Sequence, residues 1–158
     1  MLFLNHRKNV IRFLASISLL ILFLPFFQAC SDDEIKGGWP FLRSYHNVKT
    51  DTEKEIAFHQ TKRDLTLSGY DLAMQFEPIL LGFTAIMIIN ITLIVCFFRK
   101  HYKQLLLCFL NLFIIFSSII VMTFALPGLG QIRYGMYLYL LNSMFLFYFV
   151  YKEQENVI

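Results

Sequence analysis

The chain has 158 residues and a mass of 18.7 kDa, with 57% hydrophobic, 17% aromatic and only 16% charged side chains, a formal net charge of +3 and a mean hydropathy of +0.57. So apolar a composition excludes disorder, and it fits poorly with an ordinary soluble domain, whose charged fraction runs near a quarter. The length holds one domain at most, and residues 1–158 read as a single all-α integral membrane domain, a four-helix bundle with one long extracytoplasmic loop.

The first apolar block, Phe13 to Ala29, follows His6, Arg7, Lys8 and Arg12 and predicts a transmembrane helix over 13–30. The same residues also describe a bacterial lipoprotein signal, with Ala29 and Cys30 in lipobox positions and the acidic run Ser31-Asp32-Asp33-Glu34 behind them. The usual aliphatic residue at the third position before Cys is replaced by Phe27. In that reading Met1 to Ala29 is removed and Cys30 is lipidated. Three further spans already anchor the chain and a lipid adds little to them, so a retained helix is the favoured alternative.

Residues 31–75 form the extracytoplasmic loop. Its six Lys or Arg are offset by eight Asp or Glu, and its few aliphatic residues cannot build a core, so it lies on the helix ends or stays mobile. Gly37-Gly38-Trp39-Pro40 reads as a turn with the indole at the membrane surface. Thr50-Asp51-Thr52-Glu53 reads as a capping box opening a short helix to about Arg63. Within Leu67 to Ala73, Ser68, Gly69, Tyr70 and Asp71 form a turn back toward the membrane, with a positive φ at Gly69 and with Leu67, Tyr70 and Leu72 as anchors.

Glu77-Pro78 opens a second span over 77–98. Proline suits a first helical turn and a carboxylate there complements the helix dipole, while Glu77 is also the candidate functional acid at the membrane face. The third span, 105–126, and the charge-free core of the second are each about 20 residues long, the length that crosses about 30 Å of hydrocarbon. The fourth, 132–151, carries Tyr134, Tyr137, Tyr148 and Tyr151 for the two interfacial belts, and residues 152–158 are a tail. Arg7, Lys8 and Arg12 before the first span, and Arg99, Lys100 and Lys103 in the tight turn after the second, place both termini in the cytoplasm of a bacterial inner membrane.

Leu24-Pro25-Phe26-Phe27-Gln28-Ala29-Cys30, followed by Thr66-Leu67-Ser68-Gly69-Tyr70-Asp71-Leu72-Ala73 before the second helix, resembles a pattern in small Bacteroidota-like multi-span inner-membrane proteins. The resemblance covers the first half of the chain. It implies an inner-membrane location and carries over no activity and no catalytic residue.

Chemistry-bearing groups are sparse. Cys30 lies on the outer side, Cys96 and Cys108 near the cytoplasmic ends of two spans, and there is no C-x-x-C. His46 and His59 with Asp51, Glu53 and Glu55 match no compact ligand spacing, so no metal site, cofactor or catalytic residue is expected. The small basic clusters adjoin spans and suit membrane lipids rather than nucleic acid. At depth lie neutral groups: Asn90 and Asn142 near span centres, with Asn111, Ser117, Ser118 and Thr123 in the third span. They are read as interhelical hydrogen-bonding groups, and Gly82, Thr84 and Ala85 as sites of close helix approach.

The function expected is therefore that of a non-enzymatic accessory or immunity-type interaction protein, with a protein partner bound through the outer loop or bundle. Second comes a small oligomeric channel or transporter built around Asn90 and Asn142. A lipid-modifying enzyme using Glu77, Asp71 or His59 ranks last.

Overall fold

The computed structural model describes residues 2–36, 51–75, 80–99, 103–125 and 131–155, and these are mostly helical. In chain order the elements are α1 (Leu2–Ile21), β1 (Pro25–Gln28), α2 (Asp32–Lys36), α3 (Asp51–Asp64), β2 (Thr66–Ser68), α4 (Gly69–Met74), α5 (Leu81–Arg99), α6 (Gln104–Ala125) and α7 (Tyr134–Glu155). Helix α1 packs on α5 and α7, α5 packs on α6, and α6 packs on α7, which closes the four long helices into a ring.

Each long helix buries one stripe at helical spacing. Ile11, Ala15, Ser18 and Leu22 face inward from the α1 side, Phe83, Ile86, Asn90, Leu93 and Phe97 from α5, and Cys108, Asn111, Ile115, Ser118 and Met122 from α6. Helix α7 contributes Met136, Tyr139, Asn142, Ser143, Leu146 and Val150. The opposite faces are not polar, as they would be on a water-soluble helix. Phe109, Phe113, Phe116 and Phe124 on α6 and Tyr137, Leu141, Phe145 and Tyr148 on α7 are exposed. Leu81–Phe98 and Gln104–Phe124 are long and apolar enough to cross a membrane, and only 28% of each is buried within the protein.

The first helix differs from the expected 13–30 segment. It ends at Ile21, turns through Leu22 to Leu24, and continues as the extended strand β1. The physical cause is Pro25, which lacks a backbone N–H and disfavours helical geometry at Leu24 before it. β1 then pairs antiparallel with β2, with Phe27 opposite Leu67 and Gln28 opposite Thr66, and Phe27 also bridges Ile132 at the start of α7.

Ser68 to Asp71 is likewise not the turn expected of it. Ser68 is the N-cap of α4: its hydroxyl accepts from the Asp71 N–H at 3.1 Å, and its own N–H donates to the Asp71 carboxylate at 2.9 Å. Gly69 is the first helical residue, and what requires glycine there is space: a Cβ would sit 2.9 Å from the Phe26 ring. Gly135 meets the same ring from α7, where a Cβ would lie 2.6 Å from the Pro25 carbonyl oxygen. Gly82 lets α5 approach α6, because a Cβ there would run into Ser118 Oγ. The Gly37 to Pro40 turn, His46, Thr50 of the expected capping box, Glu77 and Pro78 lie outside the described residues.

Candidate functional site

Two polar constructions stand out against the apolar stripes. The first is a ladder inside the ring of helices. Asn90 on α5 donates to the Ile86 carbonyl at 2.7 Å and to the Tyr139 hydroxyl on α7. Tyr139 in turn donates to Asn111 Oδ1 on α6 at 3.0 Å, and Asn111 donates back to Ser143 on α7 at 3.3 Å. On the other side of α7, Asn142 donates to Ser18 Oγ at 2.7 Å and to the Leu14 carbonyl at 3.1 Å, both on α1.

These groups are buried, and each would be costly to leave unpaired in a low-dielectric interior. Thus Asn90, Asn111 and Asn142 stitch α5 to α7, α6 to α7, and α7 to α1. Ser118 is buried beside Gly82 and Ser117 is half-buried. Tyr139, Ser143 and Ser18 are members that sequence reading missed; the spacing of Tyr139 one turn before Asn142 and Ser143 on α7 is the signal the chain offered. Replacing Tyr139 with Phe removes the donor to Asn111 and the acceptor for Asn90 while keeping the ring. The expected cost is about 1 to 2 kcal/mol, read as a lower unfolding midpoint in mild detergent.

The second construction is a cap at the end where α1 closes and α7 begins. Strand β1 carries Gln28, fully buried, into its centre. Gln28 Nε2 donates to the Cys30 carbonyl at 2.5 Å and to Asp32 Oδ1 at 2.9 Å, and its Oε1 accepts from the Arg133 guanidinium. Asp32 also accepts from Lys62 Nζ on α3 at 2.6 Å and faces Arg133 at 3.5 Å. The Arg133 N–H donates to the Phe26 carbonyl at 2.9 Å, and the Ala29 N–H to the Leu65 carbonyl at 2.9 Å. One amide thereby joins β1, α2 and the start of α7, and through Asp32 it reaches α3. Helix α2 opens with a second reciprocal cap, in which Ser31 N–H donates to Glu34 at 2.6 Å and Glu34 N–H to Ser31 Oγ at 3.2 Å.

Cys30 is buried in this cap, where burial first and the Glu34 carboxylate second push its thiol above the ordinary range. Asp32 is held below its ordinary value of 3.8, chiefly by the hydrogen bonds from Gln28 and Lys62, with the Lys62 and Arg133 charges adding to them. A carboxyl lowered on folding stabilises the fold above its unfolded pKa, and that gain is lost as pH falls through the folded one. The melting midpoint of wild type should therefore drop toward that of Asp32→Asn as pH is lowered below the ordinary 3.8. The gap at neutral pH should be about 1 kcal/mol or less, because the carboxylate is partly exposed and solvent-screened.

Tyr70 is exposed and stacks on Phe23 at 5.6 Å, and Asp71 is occupied in capping α4. His59 lies exposed on α3, and no group of three or more metal-ligating side chains gathers among the described residues. Compared with known protein families, curated proteins and solved structures, the chain matches none.

Proposed function

We propose that the chain is a small four-span protein of the bacterial inner membrane, both termini cytoplasmic, that works without catalysis as an accessory or immunity-type interaction protein. The observation that carries this reading is the cap. A segment too polar to build a core is nevertheless clamped onto the helix ends through Gln28, Asp32, Lys62 and Arg133, and it holds α3 with Ile56, Glu55, His59 and Arg63 outward. Fixing such a segment costs backbone entropy of about 1 to 2 kcal/mol per residue, an expense that preorganises a surface for a partner.

Support for four spans comes from the ring itself. Helices α1 and α7 share one ladder with the two most apolar helices and expose apolar outer faces beside them. They run to 20 and 22 residues, with their charged side chains gathered in the first three turns of α1 and the last turn of α7. The retained first helix is supported by its share of the interior: cleavage before Cys30 would remove Ile11, Ala15, Ser18, Leu22 and Phe26, all buried. A channel built on Asn90 and Asn142 is disfavoured, because both amides are spent on neighbouring helices.

A photo-crosslinking residue placed at Ile56 is expected to capture one stoichiometric protein in native membranes, while the same probe at Phe113 captures lipid. Absence of any protein adduct from several α3 positions, with the protein folded, would reject the interaction reading. Orientation has its own check: a Cys introduced at Glu55 should react with an impermeant thiol reagent from outside intact spheroplasts. Intact mass including Met1 to Ala29 is the expected result for the retained helix.

A further inference from the structure

Opposite the cap, the basic start of α1 meets the C-terminal ends of α5 and α7. Lys8 and Arg12 are one turn apart on the same flank of α1, at i and i+4. The Arg12 guanidinium lies over the Phe98 ring at 5.3 Å, at the last turn of α5. Among the described residues no carboxylate pairs with Arg12, and Lys8 has only Glu153 of α7, at a loose 3.9 Å. Phe98 is 63% exposed, as is Phe13, the residue after Arg12.

This combination has a specific chemical complement. A guanidinium over an aromatic ring keeps its N–H donors for a further acceptor, and their fork suits a phosphate. A soluble anion would match the charge but not the exposed phenylalanines beside it. A molecule with a phosphate at one end and hydrocarbon below it matches both.

We propose that the seam where α1 crosses the end of α5 is a headgroup site for an anionic phospholipid, with Arg12 and Lys8 holding the phosphate and Phe98 forming the floor beneath it. The proposal rests on the membrane reading above. It adds that this leaflet is recognised by headgroup charge at one place, rather than merely tolerated as solvent. Arg12 lies mid-way along α1 but level with Phe98 in the last turn of α5, where that apolar helix ends, so its long side chain reaches the interface there.

The test is native mass spectrometry of the full chain in mild detergent, titrated with phosphatidylglycerol, phosphatidylcholine or glycerol 3-phosphate. Phosphatidylglycerol should be retained as one tight adduct, and the other two should not. Each of Arg12→Gln and Lys8→Gln should weaken that adduct about fivefold, the factor equivalent to about 1 kcal/mol for one basic residue at an anionic surface. Arg12→Lys, which keeps the charge and loses the fork, should give a smaller loss and guards against a variant that fails to fold. Equal retention of phosphatidylcholine, tight binding of glycerol 3-phosphate, or a phosphatidylglycerol adduct unchanged in all three variants would overturn the site. Release of the wild-type protein from membranes by alkaline carbonate would instead overturn the membrane reading, whatever the adducts.

Discussion

Phe26→Ala should lower the unfolding free energy by about 3 to 5 kcal/mol, the range for emptying a fully enclosed aromatic site. Phe26 has no exposed surface. Its ring meets Phe83 of α5 edge-on at 6.2 Å and Tyr139 of α7 at 5.9 Å, so it reaches from the cap down to the head of the polar ladder. Gly69 and Gly135 close on it from two further elements, leaving little freedom for neighbours to collapse into the void. The measurement is chemical unfolding in mild detergent. Phe23→Ala is the matched control, because Phe23 is 65% exposed and among the described residues its ring stacks on Tyr70; it should cost under about 1 kcal/mol. Equal losses in the two variants would mean that the cap is not bolted through Phe26.

That contrast explains what the sequence hid in this region. Phe23, Phe26 and Phe27 lie in one apolar run, and a run without polar punctuation carries no period from which to tell inside from outside. Length alone then suggested a helix through to Cys30. Pro25 was the available signal against it. The strand partner, Thr66 to Ser68, lies about forty residues away, and pairing at that separation leaves no local trace.

The α-helical class and the two charge-free helices long enough to cross a membrane were legible because α5 and α6 carry strong, uninterrupted patterns. The neutral amides at depth were legible too, since an Asn amid leucines and isoleucines is conspicuous. Their partners were not, because Tyr139 and Ser143 differ from their neighbours by single hydroxyls. In the cap the reverse holds. Ser31 with Glu34 and Ser68 with Asp71 both have the S-x-x-E/D form of a helix start, as legible as Thr50 with Glu53, but Gly69 right after Ser68 also suits a turn. Arg133 is a lone charge at the head of the fourth apolar block. Nothing in sequence says that it closes on Gln28, because the two are 105 positions apart.

Gln28→Leu is the prediction that separates the cap from the ring. Leucine is close to glutamine in volume, so packing against Phe27 and the strand pair is kept while three hydrogen bonds are lost, two of them to the charged Arg133 and Asp32. Bonds to charged groups are worth about 1.5 to 3 kcal/mol each, so a loss of about 3 kcal/mol is expected after part of the site rehydrates. Arg133 would keep Asp32 only at 3.5 Å, and Asp32 would keep Lys62 at 2.6 Å, a partly exposed pair that contributes little alone. Hydrogen exchange should therefore quicken in β1, β2 and α2. The amides of α6 should stay protected, because their ladder through Asn111 and Tyr139 does not pass through Gln28. Gln28→Glu restores an acceptor for Arg133 but sets a second carboxylate beside Asp32, so it should fall between wild type and Gln28→Leu, and move toward wild type as pH falls far enough to protonate one of the two acids. Uniform acceleration across cap and helices would show that the two fold as one unit, and then the cap could not be the separately fixed surface on which a partner is read.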